Sequence, residues 1–235
     1  MSVALVTGAS RGLGLTLARA LAERGWRLVI DAREPRALEV ARTELASRAD
    51  VVAVPGDVAD PRHREGLAVV VRDAGGLDLL VNNASVLGPS PQPGLADYPI
   101  EELERVYRVN AVAPLALTQL LLPQLRAGTG RTVVNVTSDA AVEPYAGWGG
   151  YGSSKAALDQ LSAILGAEHP ELRVYAFDPG DMRTRMHQDA FPGEDISDRP
   201  EPESVVPPLL CLVDGELPSG RYRASDPALA PEGRG

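Results

Sequence analysis

The sequence has one cysteine, Cys211, in 235 residues. A single thiol excludes an internal disulfide and fits a reducing compartment, so a cytoplasmic location is expected. Histidine is scarce as well. His63, His169 and His187 are scattered without metal-ligand spacing, and one cysteine cannot complete a zinc site with them, so no metal is expected. Positive charge is in deficit: 23 Lys and Arg against 32 Asp and Glu leave a formal net charge of −9. Nucleic acid and anionic membranes both demand a basic face, so neither is an expected partner. Long apolar runs are missing too. The most apolar stretch, 111–122, is interrupted by Pro114, Thr118 and Gln119 and is too short to span a bilayer. The N-terminus enters an apolar run at once, with no basic n-region or cleavage site, so no signal peptide is expected. Ser138 has no G-x-S-x-G context, which disfavours a hydrolase elbow, and no internal repeat is visible.

What remains is ordinary globular material, 44 % apolar and 23 % charged, in a chain long enough for one α/β core. Short apolar runs (Val3–Val6, Leu28–Ile30, Val51–Val54, Leu77–Val81, Thr132–Val136, Arg173–Phe177) alternate with longer helical patterns. The latter are Leu13–Arg24, Pro35–Ser47, His63–Asp73, Glu101–Leu125 and Tyr151–Glu168, with Leu13, Leu17 and Leu21 recurring at helical spacing. Continuous apolar strands between amphipathic helices predict a single doubly wound parallel sheet, Rossmann-like, of about seven strands with helices on both faces. One domain is expected over 1–225. Within it the proline- and charge-rich 181–208 reads as a long substrate-side loop with a helical turn or two. Leu209–Val213 reads as a helix end, Arg221–Ala224 as a last edge strand, and 226–235 as a frayed tail.

Between the first strand and the first helix lie Gly8, Gly12 and Gly14, spaced G-x3-G-x-G. Bare backbone lets a pyrophosphate approach closely, and a helix N-terminus offers unpaired N–H groups and partial positive charge. A tight turn without a ligand is the alternative. There is no lysine in this turn, which disfavours phosphoryl transfer. Further on, Tyr151 and Lys155 stand four apart in a helical pattern and so share a face. A phenol titrates near 10, and an ammonium close by would bring it within reach of proton transfer near neutrality. Ser138 follows the strand Thr132–Val136 at the carboxyl end, where ligands bind in parallel sheets. Its hydroxyl can bond a carbonyl oxygen on which charge builds, or simply cap a turn; Thr137 takes its place if the register slips by one.

The segment Thr7-Gly8-Ala9-Ser10-Arg11-Gly12-Leu13-Gly14 resembles the cofactor turn of the short-chain dehydrogenase/reductase family. Asp57-Val58, Asn82-Asn83-Ala84, Tyr151-Gly152-Ser153-Ser154-Lys155, and Pro179-Gly180 with Thr184 follow in the family's order. The resemblance implies that Gly8, Ser10, Arg11, Gly12, Leu13 and Gly14 hold a dinucleotide together with Asp57, Val58, Asn83, Ala84, Tyr151 and Lys155. Pro179, Gly180, Met182 and Thr184 would border its nicotinamide. It also implies a catalytic set of Asn110, Ser138, Tyr151 and Lys155, in which Ser138 orients the carbonyl. Asn110 would mark a kinked helix and hold a water linking Lys155 to solvent; a buried amide satisfied by backbone is the alternative. Where the family continues with glycine after Asn82-Asn83-Ala84, this chain has Ser85. Tyr145, Trp148, Met182 and Met186 are candidate pocket walls, with packing the plainer role for each.

The cofactor type rests on Asp31-Ala32-Arg33. Counted as in the family, the acid that binds the 2′-hydroxyl of NAD would fall at Ala32, and strand alternation turns Asp31 to the opposite face. Arg33 falls where NADP-type members carry a basic residue, and Arg11 is a second cation for a 2′-phosphate. NADP(H) is therefore expected, with NAD(H) the alternative. The expected function is interconversion of a carbonyl and an alcohol on a small organic substrate, with Tyr151 as general acid or base and Lys155 lowering its pKa. A non-catalytic NADP-binding sensor or scaffold and an NAD-retaining epimerase or dehydratase are the alternatives. The resemblance implies a homodimer or homotetramer.

Overall fold

The computed structural model describes residues 1–230, which fold as one seven-stranded, all-parallel sheet. In chain order the strands are β1 Val3–Val6, β2 Arg27–Ala32, β3 Val51–Pro55, β4 Leu79–Asn82, β5 Thr132–Val136, β6 Arg173–Asp178 and β7 Gly220–Arg223. Their spatial order is β3-β2-β1-β4-β5-β6-β7. The chain winds outward from β1 in one direction and from β4 in the other. That reversal opens a crevice beyond the carboxyl ends of β1 and β4, the place where such sheets bind ligands.

Helices α1 Gly12–Glu23, α2 Pro35–Leu45 and α8 Val206–Asp214 lie on the face where Leu17, Leu21, Leu38, Leu209 and Leu212 pack against Ala4, Leu28 and Ile30. Helices α3 Pro61–Asp73 and α5 Ala113–Ala127 lie on the other, where Leu67, Val71, Leu117 and Leu121 pack against Leu5, Val29 and Val133. Every residue of β1 is buried, which is why its sequence is uniformly apolar rather than alternating. Helices α2 and α3 start alike. Glu34 and Asp60 each cap with a side-chain oxygen on the N–H two residues on, and a proline follows each cap at the first helical position. Proline there loses no intrahelical bond. No helix among the described residues is long and apolar enough to cross a membrane.

Two expectations change, and a third gains detail. The pattern Glu101–Leu125 is not one helix: α4 Ile100–Tyr107 passes through a π-helical turn, Arg108–Val112, into α5. The segment 181–208 carries the helical turns expected in its loop, α7 Arg185–Ala190 and a 3-10 turn, Pro202–Val205, that leads into α8. Pro207 and Pro208 sit in the first turn of α8, where proline is tolerated. The tail is not frayed from 226. Pro227–Leu229 forms a 3-10 turn and Leu229 is buried in the main core, while 231–235 lie outside the described residues.

Candidate active site

The crevice is a cavity of about 1100 Å³ that runs from the glycine turn to Tyr151. Gly8 (φ +66°) and Gly12 (φ +55°) occupy the left-handed region that glycine enters without strain. A side chain on Gly8 would meet Ala84 Cα at 2.9 Å, so the turn lies against the segment after β4. A side chain on Gly12 would meet only Thr184 Cγ2, at 3.8 Å, so bare backbone faces the cavity there. Helix α1 begins with no side-chain cap and no acidic residue in its first turn. Its first N–H groups are thus free for an anion. Asn83 lines the cavity while its Nδ2 donates to the carbonyls of Thr7 (2.9 Å) and Gly8 (3.2 Å) and braces the turn. Asp57 fixes its own corner by accepting from Ala59 N–H at 2.8 Å, and Val58 lines the cavity beside it.

Arg11 and Arg33 both line the cavity, and neither is paired with a carboxylate among the described residues. Arg19, also in the lining, is spent on Glu44. Asp31 is 1 % exposed and has both carboxylate oxygens engaged. Oδ1 accepts from Gly8 N–H at 3.0 Å and Oδ2 from His63 Nε2 at 2.8 Å. Alternation along β2 sends Ala32 to the α1/α2 face and Asp31 to the side from which His63 of α3 reaches it. Free cations, an open helix start and a buried acid with both oxygens bonded within the protein fit a dinucleotide with a 2′-phosphate better than one with a 2′-hydroxyl.

At the other end, helix α6 Gly149–Glu168 carries Tyr151 and Lys155, both buried. The Lys155 ammonium lies 5.5 Å from the Tyr151 ring centroid and donates to the carbonyl of Val136 at 2.7 Å. Burial dominates both groups. It pushes Lys155 down to about 8 and raises the Tyr151 phenol, against which the hydroxyls of Ser85 and Ser138 pull downward. The two hydroxyls hold the phenol down against burial, while the ammonium over its ring is hydrogen-bonded to Val136. Ser138, not Thr137, stands at the phenol. It also caps the 3-10 turn Asp139–Ala141, accepting from Ala140 N–H at 3.2 Å and donating to Asp139 Oδ1 at 2.8 Å. Thr137 Oγ1 is buried without a partner.

Asn110 sits inside the π-helical turn, fully buried, as the implied kink requires. Its Oδ1 accepts from Val86 N–H (2.9 Å) and Ser85 Oγ (3.1 Å), and its Nδ2 donates to Val86 O (2.9 Å) and Ser154 Oγ (3.0 Å). All four valences of the amide are used. The side chain has no place left for a water; it ties the segment after β4 to α6. Gly180 (φ +70°) turns the chain after Pro179, and its N–H donates to Asp178 Oδ1 at 3.0 Å. Thr184 caps α7 by accepting from His187 N–H at 3.3 Å, while its methyl faces Gly12. Met182 packs on the main core from the cavity side. Trp148 and Met186 pack beside Tyr151, with Trp148 edge-on to Tyr151 (5.8 Å between ring centroids) and against Phe191 (5.8 Å). Tyr145, half exposed, donates to Asp139 Oδ2 at 2.9 Å.

Four participants have no signal in the spacing of motifs: Asp139 on Ser138, Ser85 on Tyr151 and Asn110, His63 on Asp31, and Arg221. The last, on β7, donates to Ser138 O (3.0 Å), Asp178 Oδ2 (2.9 Å) and Asp159 Oδ2 (2.9 Å) and ties three site segments together. Only Ser85 could have been found from sequence, as the departure from glycine after Ala84.

Comparison with known proteins gives the family of this chain. A family model described as short chain dehydrogenase matches residues 2–195. Sepiapterin reductase from Xenopus tropicalis is 36 % identical over 195 residues, covering 78 % of this chain and 75 % of the relative. Benzil reductase ((S)-benzoin forming) from Bacillus subtilis is 32 % identical over 195 residues, covering 79 % of this chain and 76 % of the relative. The solved structure of an alcohol dehydrogenase from the archaeon Thermococcus sibiricus, complexed with 5-hydroxy-NADP, superposes with a TM-score of 0.85 at 28 % identity, covering 95 % of each chain. A match that spans both the glycine turn and the Tyr151/Lys155 helix, on the same sheet, means that this chain belongs to the short-chain dehydrogenase family.

Proposed function

We propose that the chain is an NADP(H)-dependent carbonyl reductase, running in reverse as an alcohol dehydrogenase, on a small organic substrate. The observation that carries this reading is the buried Tyr151 phenol, set against the hydroxyls of Ser85 and Ser138 at the inner end of a cavity whose other end is the glycine turn. A protein that only binds a dinucleotide has no use for that arrangement. NADPH, when bound, supplies a hydride to the carbonyl carbon. Gly8, Gly12 and the open start of α1 would hold its pyrophosphate, and Arg11 and Arg33 its 2′-phosphate. Tyr151 gives its proton to the carbonyl oxygen as negative charge grows there, and takes it back from the alcohol in the reverse direction. Ser138 turns its hydroxyl from Asp139 to that oxygen and holds the carbonyl in line. Lys155, charged near neutrality, supplies positive potential beneath the phenol ring, which favours the phenolate left behind. Trp148 and Met186 wall the substrate side, with Phe191 packed against Trp148.

Names of relatives point to the substrate class to try first, reductases of benzil and of sepiapterin. The test is NADPH oxidation followed by absorbance with benzil, sepiapterin and an aliphatic ketone. Turnover of at least one supports the reading; binding of NADPH with no turnover of any carbonyl favours the sensor. The proposed assembly is a homodimer or homotetramer through the outer faces of α5 and α6, where Leu120 and Ile164 are exposed; a monomer by size-exclusion with light scattering would contradict it.

A further inference from the structure

We propose that Asp31 and His63 are a positioning pair that locks the glycine turn in its binding shape and so sets the affinity for NADP(H), without contact with the reacting atoms. The inference rests on the functional reading above. Asp31 grips the turn at two successive residues: its side chain accepts from Gly8 N–H at 3.0 Å and its backbone carbonyl from Ala9 N–H at 2.9 Å. The direction of the Gly8 N–H is thus fixed by a carboxylate at the end of the neighbouring strand. That carboxylate is 1 % exposed, and burying it without a full set of donors would be costly. His63, 8 % exposed, reaches in from α3 and supplies the second donor at 2.8 Å.

The space for the imidazole is kept open by Gly56, at the end of β3. A side chain on Gly56 would lie 2.2 Å from His63 Nδ1 and 2.6 Å from two ring carbons. Gly56 is not among the positive-φ glycines, so its backbone does not demand glycine; the ring does. Three elements therefore converge on one amide: β2 through Asp31, α3 through His63, and the end of β3 through the clearance at Gly56. Neither Asp31 nor His63 contacts Tyr151, Ser138 or Lys155. The pair also explains an acid one residue before Ala32, the position where a family relative that prefers NAD would use one for its ribose: here both of its oxygens are bonded within the protein.

The test measures NADPH binding by fluorescence, with kcat and the KM for NADPH alongside, in wild type, His63→Ala, His63→Gln and Gly56→Ala. His63→Ala removes the donor and Gly56→Ala displaces the ring, so each should weaken NADPH binding about tenfold or more, the loss expected for one hydrogen bond to a charged group. Saturating kcat should stay within about twofold. Glutamine places an amide nitrogen near the position of Nε2, and His63→Gln should restore affinity to within about threefold of wild type. Hydrogen exchange of the peptide spanning Val3–Gly14 should quicken in His63→Ala and not in His63→Gln, a readout independent of turnover. If His63→Ala and Gly56→Ala bind NADPH as wild type does, or if affinity loss comes with an equal loss of kcat in all variants, the pair has no positioning role. Wild type that binds neither NADPH nor NADH overturns the functional reading and this proposal with it. Should His63→Ala fail to fold, Gly56→Ala and His63→Gln decide between the same outcomes.

Discussion

Lys155 is the only lysine in the chain, and burial moves it from the ordinary 10.5 down to about 8. A lysine with a lowered folded-state value weighs against stability below pH 8, where it is charged and buried. That penalty fades as pH rises from 8 to 10.5, because the unfolded chain holds the proton longer than the folded one does. The shift corresponds to about 3 kcal/mol. Lys155→Met removes the penalty but leaves the Val136 carbonyl without its donor, at a cost of about 1–3 kcal/mol that does not depend on pH. Denaturant unfolding should therefore show the variant gaining on wild type at pH 7 relative to pH 10; a difference that does not change with pH would contradict the assignment. Also at this scale, Arg33→Ala should weaken NADPH binding by about 10- to 100-fold, as expected for a lost guanidinium–phosphate contact, and NADH binding little. Equal loss of both would mean that Arg33 does not read the 2′-phosphate. Tyr151, Lys155 and Ser138 were legible because spacing within a helix, or just past a strand, is enough to bring them together. Asp31 and His63 were not, because their meeting depends on how β2 and α3 pack across the sheet.

The π-helical turn Arg108–Val112 shows the same boundary for elements. Its residues have ordinary helical character, so Glu101–Leu125 reads as one helix; the π-helical turn carries Asn110, whose amide is bonded to Val86. Asn110→Leu removes two donors and two acceptors and leaves Val86 N–H and C=O buried and unpaired. Each orphan costs about 1–3 kcal/mol, so unfolding free energy should fall by roughly 2–6 kcal/mol. A loss under about 0.5 kcal/mol would show that water replaces the amide. Helix α8 was half legible for a related reason. Prolines at 202, 207 and 208 signal a break when counted, yet two of them stand in the first turn of α8, where they are compatible with helix. Strands were the most legible elements, since a buried parallel strand must be apolar throughout, and the misplacements there are of one to two residues, as at Leu79–Asn82.

At the scale of the molecule, strand order and site location follow from one fact, the reversal of winding between β1 and β4. A cofactor laid across that crevice would touch segments after β1, β2, β3, β4, β5 and β6, and so should stabilise the fold as a whole. At a hundredfold excess over its Kd a ligand adds about 2.7 kcal/mol. For a chain of 235 residues that is a rise in Tm of roughly 5–10 °C with NADPH. NADH at the same concentration should give less. The central claim is that Tyr151 moves the proton. Its most direct measurement compares kcat for NADPH-dependent carbonyl reduction in wild type and Tyr151→Phe, with NADPH affinity measured on both. The expected result is a fall in kcat of about 10²- to 10⁴-fold with affinity for NADPH unchanged. Equal turnover by the two proteins would contradict the account.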